Sequence, residues 1–208
     1  MAVSDLVAAI QWLGHDGFLI KENDRSIFID PFEIESSDSA DLVLITHEHF
    51  DHCSPEDIRK VQIADTVIVT EPESAAKLSG NLKVVKPGDR LNAAGIDVEA
   101  VPAYNLDKPF HPREKGWLGF VVTVEGVRIY HAGDTDLIPE MGDLEVDIAL
   151  LPVSGTYVMT AQEAVEAVKR IKPKVAIPMH YGAIVGSGND ATAFKAAAEK
   201  FCEVVVLE

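Results

Sequence analysis

The feature that most constrains this chain is the passage from Asp41 to His52, DLVLITHEHFDH. Its first half, residues 41–46, is a short apolar run of the kind that forms a strand buried on both faces. Its second half puts three of the chain's seven histidines within six residues, as His-x-His-x-Asp-His. In extended backbone, residues 47, 49 and 51 share one side, and a tightening turn then carries His52 round toward a second position beside the first. Imidazole nitrogens and a carboxylate suit zinc, or iron and manganese with more carboxylate character. His47, His49, Asp51 and His52 therefore read as a metal-binding loop, with a solvated His-rich loop as the competing reading.

Turn and cap signals divide the rest into short strands with helices between. Residues 10–13 and 18–20 read as strands, Asn23-Asp24 as a turn, and 26–30 as a strand running to Pro31. Ser54 and Pro55 mark a helix start. A strand at 66–69 leads to Thr70 and Glu73, expected as a capping box opening a short helix to Ser79. From 82 to 131 strand follows strand, including 121–124 and 127–130 around the turn at Glu125-Gly126. Residues 146–151 form a further buried-type strand.

Thr160 and Glu163 form the clearest capping box of the chain. The helix behind them places Ala164, Val165, Val168 and Ile171 on one face and ends among Lys169, Arg170 and Lys172, before Pro173. A strand at 174–179, a helix at 191–201 and a strand at 204–207 complete the pattern. Without linker or repeat, residues 1–208 read as a single domain. Strands with helices in both halves predict an α+β layered sandwich, sheets inside and helices outside.

Charge narrows the partners. The chain has 208 residues and a formal net charge of −16, which argues against an extended polyanion, because binding one needs many Lys and Arg contacts. A small anionic substrate stays open, since bound divalent cations would dominate the local field. The first residues lack the pattern of a signal peptide, and no apolar run approaches the roughly 20 residues of a membrane span. A cytoplasmic protein acting on a small molecule is expected, with Cys53 and Cys202 as reduced thiols.

Two more candidate ligands sit just past apolar strand-like runs. Residues 128–130 lead through His131-Ala132-Gly133 to Asp134, and 174–179 lead to His180. Strand ends are where sites assemble in layered α/β folds. His15 and His131 are either partners that orient ligands or ordinary hydrogen-bonding histidines. Tyr104, Lys108, Tyr157 and Tyr181 are possible substrate contacts, Cys53 reads as a buried thiol, and Trp117 and Phe120 read as core.

Taken together the motifs resemble the metallo-β-lactamase superfamily, in its compact branch with the ascorbate-phosphate lactonases and N-acyl-phosphatidylethanolamine phospholipase D. The resemblance spans nearly the whole chain: Trp-Leu-Gly-His at 12–15, Asp30-Pro31-Phe32, Thr46 to His52, Val101-Pro102-Ala103, His131 to Thr135, and Pro178 to Gly182. It implies a four-layer αββα sandwich with two divalent ions at one edge, zinc first and manganese or iron next. His47 and His49 would hold one ion, Asp51, His52 and His180 the other, with Asp134 bridging and Asp30 supporting the site from behind. One departure stands out. Relatives carry a further histidine where this chain has Asn105, a poor zinc ligand. His111, six residues on, is the natural substitute, and a surface-loop histidine is the equal alternative.

The ligand set implies a hydrolase. The ions would lower the pKa of water toward neutrality, and the hydroxide would attack an ester, lactone or phosphoester small-molecule substrate. Asp51 and Asp134 would be the catalytic pair that holds and orients the nucleophile. A non-catalytic metal-binding or regulatory module, favoured by the gap at Asn105, is the main alternative. A di-iron redox enzyme ranks lower, because such relatives carry Glu where His49 stands.

Overall fold

The computed structural model describes residues 2–35 and 38–208. A short helix α1 (Val3–Ala8) precedes a six-stranded sheet whose order follows the chain: β1 (Ile10–Gly14), β2 (Gly17–Glu22), β3 (Arg25–Ile29), β4 (Ala40–Leu44), β5 (Gln62–Thr70) and β6 (Asn81–Val84). The first three pair antiparallel and the rest parallel. Helices α2 (Pro55–Val61) and α3 (Pro72–Ala75) flank β5.

The second sheet runs β13-β12-β11-β10-β9-β8-β7. Its strands are β7 (Arg90–Ala93), β8 (Ile96–Pro102), β9 (Leu118–Val124), β10 (Val127–His131), β11 (Ile148–Pro152), β12 (Val175–Met179) and β13 (Glu203–Val204). Pairing is antiparallel from β7 to β10 and parallel from β10 to β13. Helices α4 (Ala161–Ile171) and α5 (Gly188–Ala198) follow β11 and β12.

Period-two alternation makes the layers. Ile27, Ile29, Leu42 and Leu44 join one core with Leu118, Phe120 and Val122 of the second sheet. Their neighbours Phe28, Val43 and Ile45 join a second core with Ile58 and Val61 of α2. On the far side, α4 and α5 pack Val165, Val168 and Phe194 against the second sheet. Helix, sheet, sheet and helix are thus stacked as expected, and each fully buried Leu, Ile or Phe contributes roughly 1.5–3 kcal/mol over an exposed one.

Local signals held where a side chain had no better partner. Ser54 accepts from Asp57 N, and Thr160 with Glu163 makes both halves of its box. The expected box at Thr70 and Glu73 is corrected. Thr70 ends β5 and its hydroxyl donates to Ile45 O at 3.0 Å, while the Glu71 carboxylate caps α3 by accepting from Ser74 N and Glu73 N. Pro72 fixes the first helical position and so makes residue 71 the cap.

Helix α3 stops at Ala75 rather than reaching Ser79. Helix α5 starts three residues earlier than expected, at Gly188 behind the Ser187 cap, and the last strand is only Glu203–Val204. Helix α1 gave no periodic signal, because only Leu6 of it is buried. Among the described residues, no helix is long and apolar enough to cross a membrane.

The strand ends of β3, β4, β10 and β12 meet at one edge of the two sheets. There Leu118 N donates to Thr46 O at 3.0 Å and ties the sheets together.

Candidate metal centre

Beyond β4 the chain stays buried but leaves the ladder. Thr46 anchors it: its N–H donates to Asp30 Oδ1 at 2.8 Å and its hydroxyl to Asp30 Oδ2 at 2.6 Å. The N–H groups of His52 and Cys53 then donate to His49 O, closing a turn that swings His52 inward. His52 Nδ1 lies 2.8 Å from Asp30 Oδ2, so Nδ1 carries the proton to the carboxylate and Nε2 faces the site. There it stands 3.4 Å from Asp134 Oδ1 and 3.8 Å from Asp51 Oδ2. His47 Nε2 and His49 Nδ1 are 3.0 Å apart.

Asp134 is the hub. Its Oδ2 lies 3.1 Å from His111 Nε2 and 3.3 Å from His180 Nε2. His180 sits just past β12 at φ 61°; its N–H donates to His15 O, and its Nδ1 meets Ser154 Oγ at 2.9 Å. His15 occupies the β1–β2 turn at φ 50°, and its Nε2 approaches Asp51 Oδ2 at 3.1 Å. His15, Asp30 and His180 thus all hold left-handed backbone, a strain of order 1–3 kcal/mol each that surrounding packing must impose.

The departure at Asn105 becomes legible in space. Asn105 Oδ1 accepts from His111 N at 2.9 Å and lies 3.0 Å from His111 Nδ1, while Asn105 N donates to His111 O at 2.7 Å. This reciprocal clasp closes the 105–111 loop and turns His111 Nε2 toward Asp134. Asn105 therefore orients the histidine and does not itself face the cluster.

The donor set fits metal ions. His47, His49 and His111 bring ligand atoms within 4.8 Å of one another, as do His47, His52 and Asp134, and His15, His52 and His180. His52 Nε2, His111 Nε2, Asp134 Oδ1 and His15 Nδ1 are buried without a hydrogen bond. An unsatisfied buried polar atom costs about 1–3 kcal/mol, and a cation held by His52 Nε2, His111 Nε2 and Asp134 Oδ1 removes that cost for those three. Asp51 faces the same centre and is half-buried, open to the adjoining cavity.

Electrostatics point the same way. Burial opposes a charge on His52, but Asp134 and then Asp30 outweigh it and raise its pKa well above 6.5. His180 also rises against burial, to about 9, chiefly because of Asp134 and Asp16. Burial pushes His47 well below 6.5. Asp134 is held well below the carboxylate range, since His180 and His52 overcome its burial. Fully buried Asp16 goes the other way, and burial pushes its carboxyl well above the usual carboxylate range.

These shifts predict a pH crossover. Raised histidines stabilise the metal-free fold below pH 6.5, and that contribution is lost as pH climbs through about 9. Metal uptake must displace the same protons, so apparent affinity should rise over the same window. Titration calorimetry of zinc uptake at pH 7, in buffers of different ionisation enthalpy, is expected to show at least one proton released. Uptake without release would contradict the assignment.

The sequence-singled residues His47, His49, Asp51, His52, His111, Asp134 and His180 are thus brought together, and Asp30 lies behind them. Other readings change. Trp117 is more than core: its ring centroid lies 4.8 Å from those of His47 and His49, and its Nε1 donates to Glu73 at 3.2 Å. His15 reaches the centre itself. His131 is a core histidine whose Nε2 meets Asp16 O at 2.9 Å.

Of the four substrate-contact candidates, only Tyr157 lines the cavity over the site. Tyr104 donates to Glu140, Lys108 is engaged by Asp136, and Tyr181 stacks on Trp12. Burial raises the Cys53 thiol to about 11 and leaves it inert. Ser154 carried no sequence signal at all.

A family model described as a beta-lactamase superfamily domain matches residues 9–180. A UPF0173 metal-dependent hydrolase from Methanopyrus kandleri is 36% identical, over 96% of this chain and 96% of its own length. Among solved structures, a protein from Parabacteroides distasonis described as a metal-dependent hydrolase is 37% identical with a TM-score of 0.83, covering 96% of this chain and 93% of that one. Igni18, a metallo hydrolase from Ignicoccus hospitalis, is 27% identical with a TM-score of 0.79, covering 96% and 94%. The chain belongs to the metallo-β-lactamase superfamily. Within it, curated relatives that it matches include proteins named UPF0173 metal-dependent hydrolase.

Proposed function

We propose that this protein is a hydrolase that holds two divalent ions, zinc by preference, and acts on a small ester, lactone or phosphoester. The observation that carries the reading is the convergence of buried, unpartnered His52 Nε2, His111 Nε2 and Asp134 Oδ1 on one centre. His47, His49 and His111 would hold one ion, Asp51, His52 and His180 the other, with Asp134 between them. When bound, the ions supply Lewis acidity and bring the pKa of water toward neutrality.

The chain's own residues do the rest. Asp30 fixes the His52 ring by accepting from Nδ1, and Ser154 does the equivalent for His180. His15 holds Asp51 at 3.1 Å and is a positioning residue in this scheme. Asp51, which borders the cavity together with Asp134, orients the attacking water and takes up its proton. The lactonase-like and phospholipase-like branch suggested by Gly133-Asp134-Thr135 and Met179-His180-Tyr181-Gly182 is part of this reading. A non-catalytic module drew its support from the gap at Asn105, and His111 Nε2 stands within reach of that gap.

Metal analysis of the purified protein tests the proposal. About two ions per chain are expected, about one in His111→Ala, and reduced affinity, by roughly 10–100-fold, in Asn105→Ala, which removes only the clasp. Absence of stoichiometric metal, with uptake indifferent to His49→Ala, would sink it.

A further inference from the structure

The cavity over the centre has a chemical character of its own. About 290 Å³ in volume, it opens on Asp51, His111 and Asp134 at its floor. Its walls are Phe50, Phe110, Tyr157 and Ile184. Three of these are among the most exposed large apolar side chains of the chain, at 68% for Phe50, 46% for Phe110 and 41% for Ile184. Leaving such groups in water forfeits burial free energy, and their clustering round one cavity marks a binding surface.

Among the described residues, no Lys or Arg lines the cavity. Lys108, in the loop that carries Phe110, is engaged by Asp136. Phosphoryl recognition leans on Arg and Lys clamps for oxygens that metal ions do not reach, and none is present on these walls. The walls are also held in place. Asn105 Nδ2 donates to Tyr157 O at 2.8 Å, the Asn105–His111 clasp fixes the loop, and the Phe110 and Tyr157 rings meet edge-to-face with centroids 4.6 Å apart. The volume falls at the small end of ligand sites, which run from about 300 to 1,000 Å³.

We infer that the substrate is a small ester or lactone whose acyl portion is apolar and uncharged, seated against Phe50, Phe110 and Ile184 with its carbonyl over Asp134. The inference rests on the hydrolase reading and narrows it. Water adds to the carbonyl carbon, the acyl–oxygen bond breaks, and the alkoxide leaves with the proton held by Asp51; an ester yields a carboxylic acid and an alcohol, and a lactone a single hydroxy acid.

The test uses the zinc-loaded protein and two readouts. With p-nitrophenyl esters from acetate to hexanoate, kcat/KM is expected to climb by up to roughly fourfold per methylene, the conversion of about 0.8 kcal/mol per buried CH₂. The slope should fall in Ile184→Ser and Phe110→Ser, and an adipate mono-ester should be at least tenfold poorer than the hexanoate. Independently of turnover, calorimetry should show alkyl hydroxamates binding more tightly as the chain grows from acetyl to hexanoyl.

A flat or falling chain-length series in both readouts overturns the inference and leaves the hydrolase reading intact. Faster cleavage of bis(p-nitrophenyl) phosphate than of any ester also overturns it. If no probe is turned over by fully loaded protein, the hydrolase reading fails, and the hydroxamate series still decides whether the walls select an apolar group.

Discussion

Replacing Asp134 with Ala is expected to empty both halves of the centre at once. Among the described residues, this carboxylate alone stands within 3.4 Å of His52, His111 and His180, and it is buried. Metal content should drop from about two per chain to below one. Ester hydrolysis should fall by well over the roughly 10–100-fold that losing a supporting partner costs. A second readout needs no metal. With its main counter-charge gone, His180 should titrate near or below its ordinary value of about 6.5 rather than about 9, as read from imidazole NMR of the metal-free protein. Retention of two ions together with an unshifted His180 would contradict the hub assignment.

The second large effect is expected from Gly133→Ala, which touches no ligand atom. Gly133 holds φ 62°, and a Cβ there would lie 2.5 Å from Leu118 O and 3.3 Å from the Thr46 side chain. Left-handed backbone costs a non-glycine about 1–2 kcal/mol, and overpacking adds about 1–3 kcal/mol. The clash falls on the seam where Leu118 N donates to Thr46 O, so relief by backbone movement would pull His47 away from Asp134. Together these predict about 2–5 kcal/mol of destabilisation, a Tm lower by about 10 °C, and weakened metal uptake. Gly142, where a Cβ meets nothing within 4 Å, is the control, and its Ala variant should stay within about 0.5 kcal/mol. Equal melting of the two variants would refute the argument.

How much of this was legible beforehand follows from where each signal lives. The core strands and α4 were readable because alternation and capping are local: Leu42 and Val43 face different cores, and Thr160 with Glu163 closes a box within four residues. Thr70 misled because the same hydroxyl had a better acceptor in Ile45 O, 25 residues away in sequence. Trp117 reads as core from composition alone, since nothing local tells a tryptophan packed on valines from one packed on His47 and His49.

The sequence by itself determined the ligand types and the strand ends that carry them. An apolar run ending in His-x-His-x-Asp-His has few other uses, and Asp134 and His180 each follow a comparable run. What the tertiary structure alone decided is which of those groups share a centre. Asn105 and His111 are related by a loop clasp, and His15 reaches Asp51 across 36 residues through a left-handed turn. The cavity with its apolar walls joins side chains from 49 to 184. Short-range periodicity encodes burial and capping, because those depend on neighbours a few residues away. Ligand convergence and substrate fit depend on distances between elements far apart in the chain, and only packing sets those.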